Sequence, residues 1–294
     1  MANPRALDKR RKSIKNIRKI TRTMELIATA RFKKAMDRAS AATSYTQRIT
    51  QLVADLTKTG LEVSHPLLEQ RDEVKKATLL VLTANRGFSG GFNGNLTRAG
   101  LHRWNELKQE VAEPRLEISG KRGIGVFKLR EIPISVEFSH FNDKPLFDEV
   151  DVIASRYLAE YESGQLDRLD VVYMKFESIS RQKVAVETLL PLGSLGADAA
   201  EQEQASGAQS QYEFLPSPAS ILEEVVPTSF KVRLFKCFLD TAVSEQISRM
   251  VAMKSATENA GELIKQLSMQ YNRARQGRIT SELMDVIGGV EALK

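Results

Sequence analysis

The sequence predicts an α/β protein with a long antiparallel two-helix coiled coil, formed by the N- and C-terminal helices. A small open α/β (Rossmann-like) domain is predicted for the middle of the chain. Two observations indicate the coiled coil: all nine prolines lie outside residues 5–65 and 228–294, and both stretches carry an apolar stripe at helical spacing. The third observation is that apolar strand candidates alternate with helical segments in between, which is typical of an open α/β sheet.

The N-terminal coiled-coil helix is predicted for residues 1–60. Positions taken every third and fourth residue from Ile14 are apolar at ten of thirteen sites. A register kept over about six heptads is typical of a coiled coil. The stripe consists of Ile14, Ile17, Thr21, Met24, Ala28, Arg31, Ala35, Arg38, Ala42, Tyr45, Ile49, Leu52 and Leu56.

The central part of the chain, residues 75–193, is predicted to form the α/β domain. Strands are expected at 77–83, 115–119, 135–138 and 170–176, with an edge or hairpin strand at 185–191. Helices are expected at 96–110, 124–130 and 146–162. Residues 194–216 lack basic side chains and are rich in Ala, Gln, Gly and Ser around 194–213, which predicts a flexible acidic insertion.

The C-terminal coiled-coil helix is predicted for residues 217–294, with its proline-free part beginning at 228. Its stripe is again apolar at ten of thirteen positions and consists of Val232, Phe235, Leu239, Ala242, Gln246, Arg249, Met253, Ala256, Ala260, Leu263, Leu267, Gln270 and Ala274. At about 1.5 Å per residue, the two helices are too long for a compact globule roughly 40–50 Å across. We therefore expect them to pair, with residues 281–294 extending beyond the pair as an apolar end that needs a partner's cavity.

Composition excludes several classes of protein. No run of about 18 apolar residues is present, so a membrane span is not expected. With Cys237 as the single cysteine, no internal disulfide can form. The charged N-terminus has no apolar stretch after it and is unlike a secretory signal, although an Arg-rich mitochondrial presequence stays open as an alternative.

Positive charge is concentrated at the N-terminus. Residues 1–40 carry thirteen Lys or Arg against three acidic side chains, whereas the whole chain has a net charge of only +6. A solvated helix face does not require such self-repulsion, so acidic surfaces on a partner are the preferred explanation. Nucleic-acid binding is the alternative, but no aromatic residue is available for stacking within 1–31.

Catalytic and nucleotide-binding motifs are incomplete. Ser89 lies in a G-x-S-x-G sequence, yet no histidine follows late in the chain as a hydrolase triad would require. The glycine-rich turn 85–95 and a second one at 120–125 could each cradle a phosphate, but neither has a complete nucleotide-binding motif. A tight connection between strand and helix is the preferred interpretation of both. The three histidines lack metal-ligand spacing, so no metal site is expected.

Three segments resemble the gamma subunits of rotary ATP synthases. The run SIKNIRKITRTME at 13–25 resembles the opening helix of that family. The run YNRARQGRITSELMDVIGG at 271–289 is similar to its C-terminal signature, and RGFSGGFN at 86–93 is similar to its turn after the first strand. The resemblance covers the whole chain in order. It departs at Asp285, where the family has glutamate, and inside the turn, where Phe-Ser replaces Leu-Cys.

The resemblance implies a central-stalk rotor that transmits torque between the membrane rotor ring and the catalytic hexamer of alpha and beta subunits. Such a subunit couples proton flow to ATP synthesis or hydrolysis and is itself non-catalytic. It implies contact with the epsilon subunit, no cofactor, no nucleic acid, and a membrane reached only through partner subunits. The implied location is peripheral, at the cytoplasmic face of the bacterial inner membrane.

The resemblance also implies seven residues that contact the catalytic subunits, namely Lys19, Arg22, Met24, Arg275, Gln276, Thr280 and Glu282. The first three match the part of the N-terminal helix that faces acidic lever loops. The pair at 275 and 276 matches residues that hydrogen-bond a catch loop, with the other two beside them. Two simpler explanations stay open: Met24 can be a residue of the helix contact, and Arg275 can belong to a solvated face.

Overall fold

The computed structural model describes residues 3–58, 66–68, 71, 73–141, 144–192 and 218–291. The chain divides into two compact units. The helical unit contains the described residues of 1–30 and 249–294, and the α/β unit contains those of 31–248. The predicted insertion at 194–216 lies outside the described residues. The helices are α1 (Pro4–Lys58), α2 (Phe92–Glu110), α3 (Lys121–Leu129), α4 (Phe147–Glu162) and α5 (Pro218–Glu291).

A five-stranded sheet forms the centre of the α/β unit. Its strands are β1 (Lys76–Leu82), β2 (Glu113–Ser119), β3 (Val136–Phe138), β4 (Arg168–Ser178) and β5 (Arg181–Leu190). Their order across the sheet is β3-β2-β1-β4-β5. Four strands are parallel, and β5 pairs antiparallel with β4 at the edge. The predicted open α/β sheet and its edge hairpin are therefore confirmed.

Helices cover both faces of this sheet. Leu80 and Leu82 face a core formed with α4 and the beginning of α5, whereas Leu79 and Val81 face a second core formed with α2 and α3. Successive residues of a strand point to opposite faces, so a strand buried on both sides has no polar alternation. This double burial explains the continuous apolar sequence of β1.

The helical unit consists of the beginning of α1 and the end of α5, packed antiparallel. The Oγ1 atoms of Thr21 and Thr257 are 2.8 Å apart, and the guanidinium of Arg11 lies 4.8 Å from the ring centroid of Tyr271. Contacts therefore move towards the C-terminus of α5 as they move towards the N-terminus of α1. The side chains buried in this unit are Thr21, Ala28, Arg249, Met253, Ala260 and Leu267. The predicted antiparallel pairing is confirmed.

Several positions of the predicted stripes point outward. The exposed ones are Ile17, Arg31, Arg38, Leu263 and Gln270. In place of the last four, the residues that follow them are buried or half-buried, namely Phe32, Ala39, Ile264 and Tyr271, whereas both neighbours of Ile17 are exposed. The prediction used a strict heptad of 3.5 residues per turn, whereas a straight α-helix has 3.6, so the buried face drifts by one position after a few turns.

Helix α5 contains a proline that precedes the proline-free stretch 228–294 from which its helicity was argued. The helix begins at Pro218 and contains Pro227. Proline lacks an N–H and leaves the carbonyl of Glu223 without its helical partner, which normally disfavours an interior position. Here the surrounding turns are held by burial, since Val226 and Phe230 are fully buried in the core. Tertiary packing has outweighed the local preference.

A buried carboxylate joins the beginning of β1 to the beginning of β4. Asp167 accepts hydrogen bonds from the backbone N–H groups of Lys75 and Lys76, at 2.9 and 2.8 Å, and forms an ion pair with Arg71. Burial alone would raise the pKa of Asp167, but the two N–H donors and the guanidinium outweigh it and hold that pKa below its usual value. The ionised form is therefore favoured by folding.

We expect Asp167→Ala to lower the free energy of unfolding by about 2–3 kcal/mol, because it leaves two N–H groups and a cation without their partner. Urea unfolding of the full chain, followed by the fluorescence of the single tryptophan Trp104, measures this. Glu73→Ala removes an exposed ion pair with Lys75 and is the matched control, with an expected loss below about 0.5 kcal/mol. Equal losses in the two variants would contradict the assignment.

The contribution of Asp167 should also depend on pH. A depressed pKa in the folded state stabilises the protein above the unfolded value, which is about 3.9, and this stabilisation disappears as the pH falls through the folded value. The difference between the wild type and Asp167→Ala should therefore be largest near neutral pH and shrink on acidification below about pH 4. A difference that grew on acidification would mean that folding favours the protonated form of Asp167.

The close contact in the helical unit gives a second stability prediction. Ala28 is buried and Ala30 is exposed on the same helix. Ala28→Leu should destabilise the pairing by about 1–3 kcal/mol through overpacking, whereas Ala30→Leu should have little effect because leucine is also a good helix former. Hydrogen exchange of the amides between 253 and 267 reports the loss of pairing. Equal protection in both variants would show that the contact is not tight.

Candidate functional site

The residues predicted to contact partners do not form one cluster. They fall into a first contact set on α1 (Lys19, Arg22 and Met24) and a second contact set on α5 (Arg275, Gln276, Thr280 and Glu282). The hydrogen bond between Thr21 and Thr257 places the first set level with that part of α5. The second set begins about 27 Å further along the helix, at 1.5 Å per residue. The helical unit therefore presents two separate surfaces.

The first contact set is largely open to solvent. Lys19 and Arg22 are exposed, and Arg22 forms an ion pair of 2.7 Å with Glu25 one turn away. Met24 is half-buried, between the helix contact and the surface. The carboxylate of Glu25 partly neutralises Arg22, which leaves Lys19 as the more available cation. An acidic partner group can bind here without displacing any contact between the two helices.

Two residues of the second contact set, Arg275 and Glu282, line a cavity of about 380 Å³ at the meeting of the two helices. The other lining residues are Pro4, Arg5, Asp8, Tyr271, Arg278 and Ile279. Glu282 is already paired with Arg278 at 2.7 Å. The hydroxyl of Thr280 donates to the backbone carbonyl of Gln276 at 3.0 Å. Arg275 and Gln276 are exposed and use neither side chain in these bonds. Within the second contact set, these two have the side-chain donors most available to a partner.

Sequence reasoning missed a group of exposed apolar side chains on the helical unit. Ile20 is 60% exposed, and Ile17, predicted in the stripe, is 46% exposed. The group consists of Ile17, Ile20, Leu26, Ile27, Val251, Leu263 and Met269. The available signal was that α1 has more apolar residues than one stripe can use. This number of exposed large apolar side chains on one unit is consistent with an interaction surface.

The end of α5 has no covering helix among the described residues. Every side chain from 281 to 290 is exposed, which confirms the predicted unpaired end over that range. At 100° per residue its apolar side chains occupy an arc of roughly 160° around the helix. They are Leu283, Met284, Val286, Ile287 and Val290. A partner that covers them must enclose nearly half of the helix.

The turn after β1 holds Ser89 as a structural residue. Ser89 is 1% exposed, and its hydroxyl oxygen accepts a hydrogen bond from the side-chain amide of Asn93 at 3.3 Å. The amide oxygen of Asn93 in turn accepts from the N–H of Ala84 at 2.9 Å. No imidazole contacts the hydroxyl among the described residues, and His65 lies outside them. This geometry favours the tight connection over a nucleophile.

The helix N-terminus beside this turn is not available to a phosphate. Gly120 precedes α3 with φ of 100°, and a Cβ there would lie 2.1 Å from the carbonyl oxygen of Thr83. This close approach brings the end of β1 onto the first turn of α3. The N–H groups of that turn bind Asn85 Oδ1, Ala84 O and Thr83 Oγ1, through Lys121, Arg122 and Gly123 at 3.0, 3.1 and 3.0 Å. The donors that a phosphate would use are already occupied.

The described residues show neither a metal site nor a membrane-spanning helix. No group of three or more His, Cys, Asp or Glu side chains there is arranged to hold a metal ion. No helix in the same part of the chain is both long and apolar enough to cross a membrane. The most distinctive surface that remains is that of the helical unit.

The chain is similar along its full length to known proteins of one family. A family model described as ATP synthase matches residues 3–293. An ATP synthase gamma chain from Rhodopirellula baltica is 60% identical over 295 residues, and one from Leptospira biflexa is 37% identical, each match covering 100% of both chains.

Solved structures of lower identity share the fold. A chain in the mitochondrial ATP synthase of Euglena gracilis, from a structure of its OSCP, F1 and c-ring, has a TM-score of 0.64 at 18% identity. That match covers 99% of this chain and 94% of the other. A chain of the central stalk and c-ring structure from Tetrahymena thermophila has a TM-score of 0.57 at 18% identity, covering 81% and 99% of the two chains. On the family match and the full-length relatives, the chain belongs to the family of ATP synthase gamma chains.

Proposed function

We propose that this chain is the central-stalk rotor subunit of an ATP synthase. It transmits torque between the membrane rotor ring and the catalytic hexamer of alpha and beta subunits, and so couples proton flow to ATP synthesis or hydrolysis. It is a non-catalytic subunit of that complex. The observation that carries the proposal is the apolar surface left uncovered on the helical unit.

Burial arithmetic supports a partner around this surface. Covering one large aliphatic side chain is worth about 1.5–3 kcal/mol, so the exposed apolar groups represent a large stabilisation that the chain alone does not realise. The exposed end at 281–290 adds to it. A surrounding ring of subunits with an apolar lining would cover the helix from several sides at once.

Charge supports an acidic partner. The beginning of α1 has more Lys and Arg side chains than acidic partners. Arg11 and Lys12, for example, share the single carboxylate of Asp8. Arg5, Lys9 and Lys15 form no ion pair within the described residues. Acidic groups facing these side chains would speed assembly and fix its orientation.

We further propose that the two contact sets bind the catalytic subunits at different levels. In the first, Lys19, Arg22 and Met24 face acidic lever loops. In the second, Arg275 and Gln276 donate hydrogen bonds to a catch loop, with Thr280 and Glu282 beside them. Contacts at two heights along the helices resist tilting, because a sideways force at one height is opposed by the contact at the other.

The remaining parts follow the same proposal. The α/β domain predicted at 75–193 contacts the rotor ring and the epsilon subunit, whereas the terminal helices at 1–60 and 217–294 form the shaft and 194–216 is an insertion. The chain is peripheral, at the cytoplasmic face of the bacterial inner membrane, and meets the membrane only through those partners.

Isolation from native membranes tests the function and the location together. An antibody against the α/β unit should retain nucleotide-binding subunits in excess over this chain, together with a small membrane-ring subunit, and the isolated chain should show no ATP binding by calorimetry. Recovery from the soluble fraction without these subunits would contradict the proposal. Stoichiometric ATP binding by the chain alone would instead favour a nucleotide-binding protein.

Substitution of Arg275 tests the second contact set. Arg275→Ala should lower ATP-driven proton pumping by the assembled complex about fivefold, since a hydrogen bond to a charged group is typically worth more than 1 kcal/mol. Arg273→Ala is the matched control, because Arg273 is an exposed arginine of the same helix turned about 200° away. Pumping by inverted membrane vesicles measures both. An equal effect of the two would mean that Arg275 acts only through general charge.

A further inference from the structure

Strand β4 is longer than its neighbour β1. The pairing of β1 with β4 ends at Val172, whereas β4 continues to Ser178. On its other side, β4 stays paired with β5 as far as Ser178. The N–H and C=O groups of alternate residues point to the same edge of a strand, so Met174 and Phe176 direct theirs towards the side where β1 has ended. These buried backbone groups need other partners.

Three side chains of α5 supply those partners. The N–H of Met174 donates to Thr241 Oγ1 at 3.4 Å, and the hydroxyl of Ser244 donates to the carbonyl of Met174 at 3.5 Å. The N–H of Phe176 donates to the carboxylate of Asp240. The three residues are consecutive or one turn apart, so they lie on one face of the helix.

The chemistry of each group is consistent with these roles. The hydroxyl of Thr241 donates its own proton to the carbonyl of Cys237 at 2.8 Å, which leaves its oxygen to accept from Met174. Asp240 is 1% exposed, and Lys236 on the same helix neutralises it at 2.7 Å. On the sheet beside it, Lys175 and Glu187 neutralise each other at 2.8 Å. The buried charges are therefore paired rather than left alone.

We infer that Asp240, Thr241 and Ser244 take the place of a missing strand beside β4 and are the positioning residues that make α5 turn together with the sheet. This inference rests on the proposed rotor function. It assigns to three buried side chains the transfer of torque between the α/β unit's sheet and the long helix, a task separate from contacts with the catalytic subunits.

Directional bonds suit this task better than apolar packing. The hydrophobic effect is non-directional and resists small rotations weakly. At a side-chain radius of about 6 Å, rotating a helix by roughly 30° moves a side-chain oxygen by about 3 Å, which breaks a hydrogen bond. Bonds to strand backbone are especially restrictive, because the strand is held on its other side by β5 and cannot follow the helix.

The variants are chosen to remove the bonds and keep the packing. Thr241→Val is nearly isosteric, and Ser244→Ala removes a single oxygen, so the pair of substitutions deletes both hydroxyl contacts with Met174. Thr241→Ser keeps the hydroxyl and serves as the conservative rescue. Ser255→Ala is the control, since Ser255 is an exposed serine of the same helix.

Two readouts are needed. Hydrogen exchange of the full chain should show the Met174 amide exchanging at least tenfold faster in the double variant, with Thr241→Ser and Ser255→Ala close to wild type. In the assembled complex, the maximal proton gradient built by ATP hydrolysis in vesicles should fall by half or more in the double variant. The rate of ATP hydrolysis without a gradient should fall less, because a weakened contact between α5 and β4 slips mainly when rotation is opposed by a gradient.

The outcomes separate the inference from its alternatives. Unchanged exchange at Met174 would overturn the bonds themselves. Faster exchange with an unchanged maximal gradient would mean that α5 only protects the edge of the sheet and would overturn the torque role. If the double variant does not fold, Thr241→Val alone gives the same comparison. A wild-type complex without ATP-driven pumping would contradict the proposed function, whereas the exchange result at Met174 tests the contact between α5 and β4 separately.

Discussion

Close approach of α1 and α5 is the constraint on which the rest of the structure depends. Ala28 and Ala260 are buried in the helical unit, and Ala35 and Ala39 are buried against α5 in the α/β unit. Small side chains let helix backbones approach, and only at such separation can the short hydroxyl groups of Thr21 and Thr257 reach each other. This hydrogen bond can form at only one relative position of the two helices, so it also fixes which parts of α1 and α5 are level.

The narrow contact between α1 and α5 leaves many apolar side chains of α1 on the outer surface. Side chains such as Ile20, Leu26 and Ile27 lie outside this contact and stay exposed to water. In a coiled coil that functions alone, such residues would lower stability relative to a design that buries them, since an exposed apolar side chain gains nothing from burial. In a subunit that assembles with others, exposed apolar side chains are available to form an interface. The same excess of apolar residues that weakens the isolated chain therefore favours its assembly.

The sequence predicted the elements more reliably than the contacts. The strands were recognisable because burial on both faces makes them continuous apolar runs, as in β1. The sequence did not reveal that Phe32 rather than Arg31 points inward, because this depends on a drift of helical phase that accumulates over several turns. The place of Pro227 inside α5 depends on core packing around it. The contact roles proposed for Lys19 and Arg275 rest on resemblance to a family, since periodicity indicates which residues are exposed but not what they bind.

The charges of the two units are used differently. In the α/β unit, buried carboxylates are satisfied internally, as Asp170 is by Arg103, Arg168 and Thr188. Among the described residues of the helical unit, ion pairs within one helix include those of Arg11 and Lys12 with Asp8, Arg22 with Glu25, and Arg278 with Glu282. Pairs within a helix leave its outer cations in solvent and cost little to exchange. A body that keeps its shape under load needs closed networks, whereas a surface that meets successive partners needs charges that can be shared and released. The distribution of ion pairs along this chain follows that division.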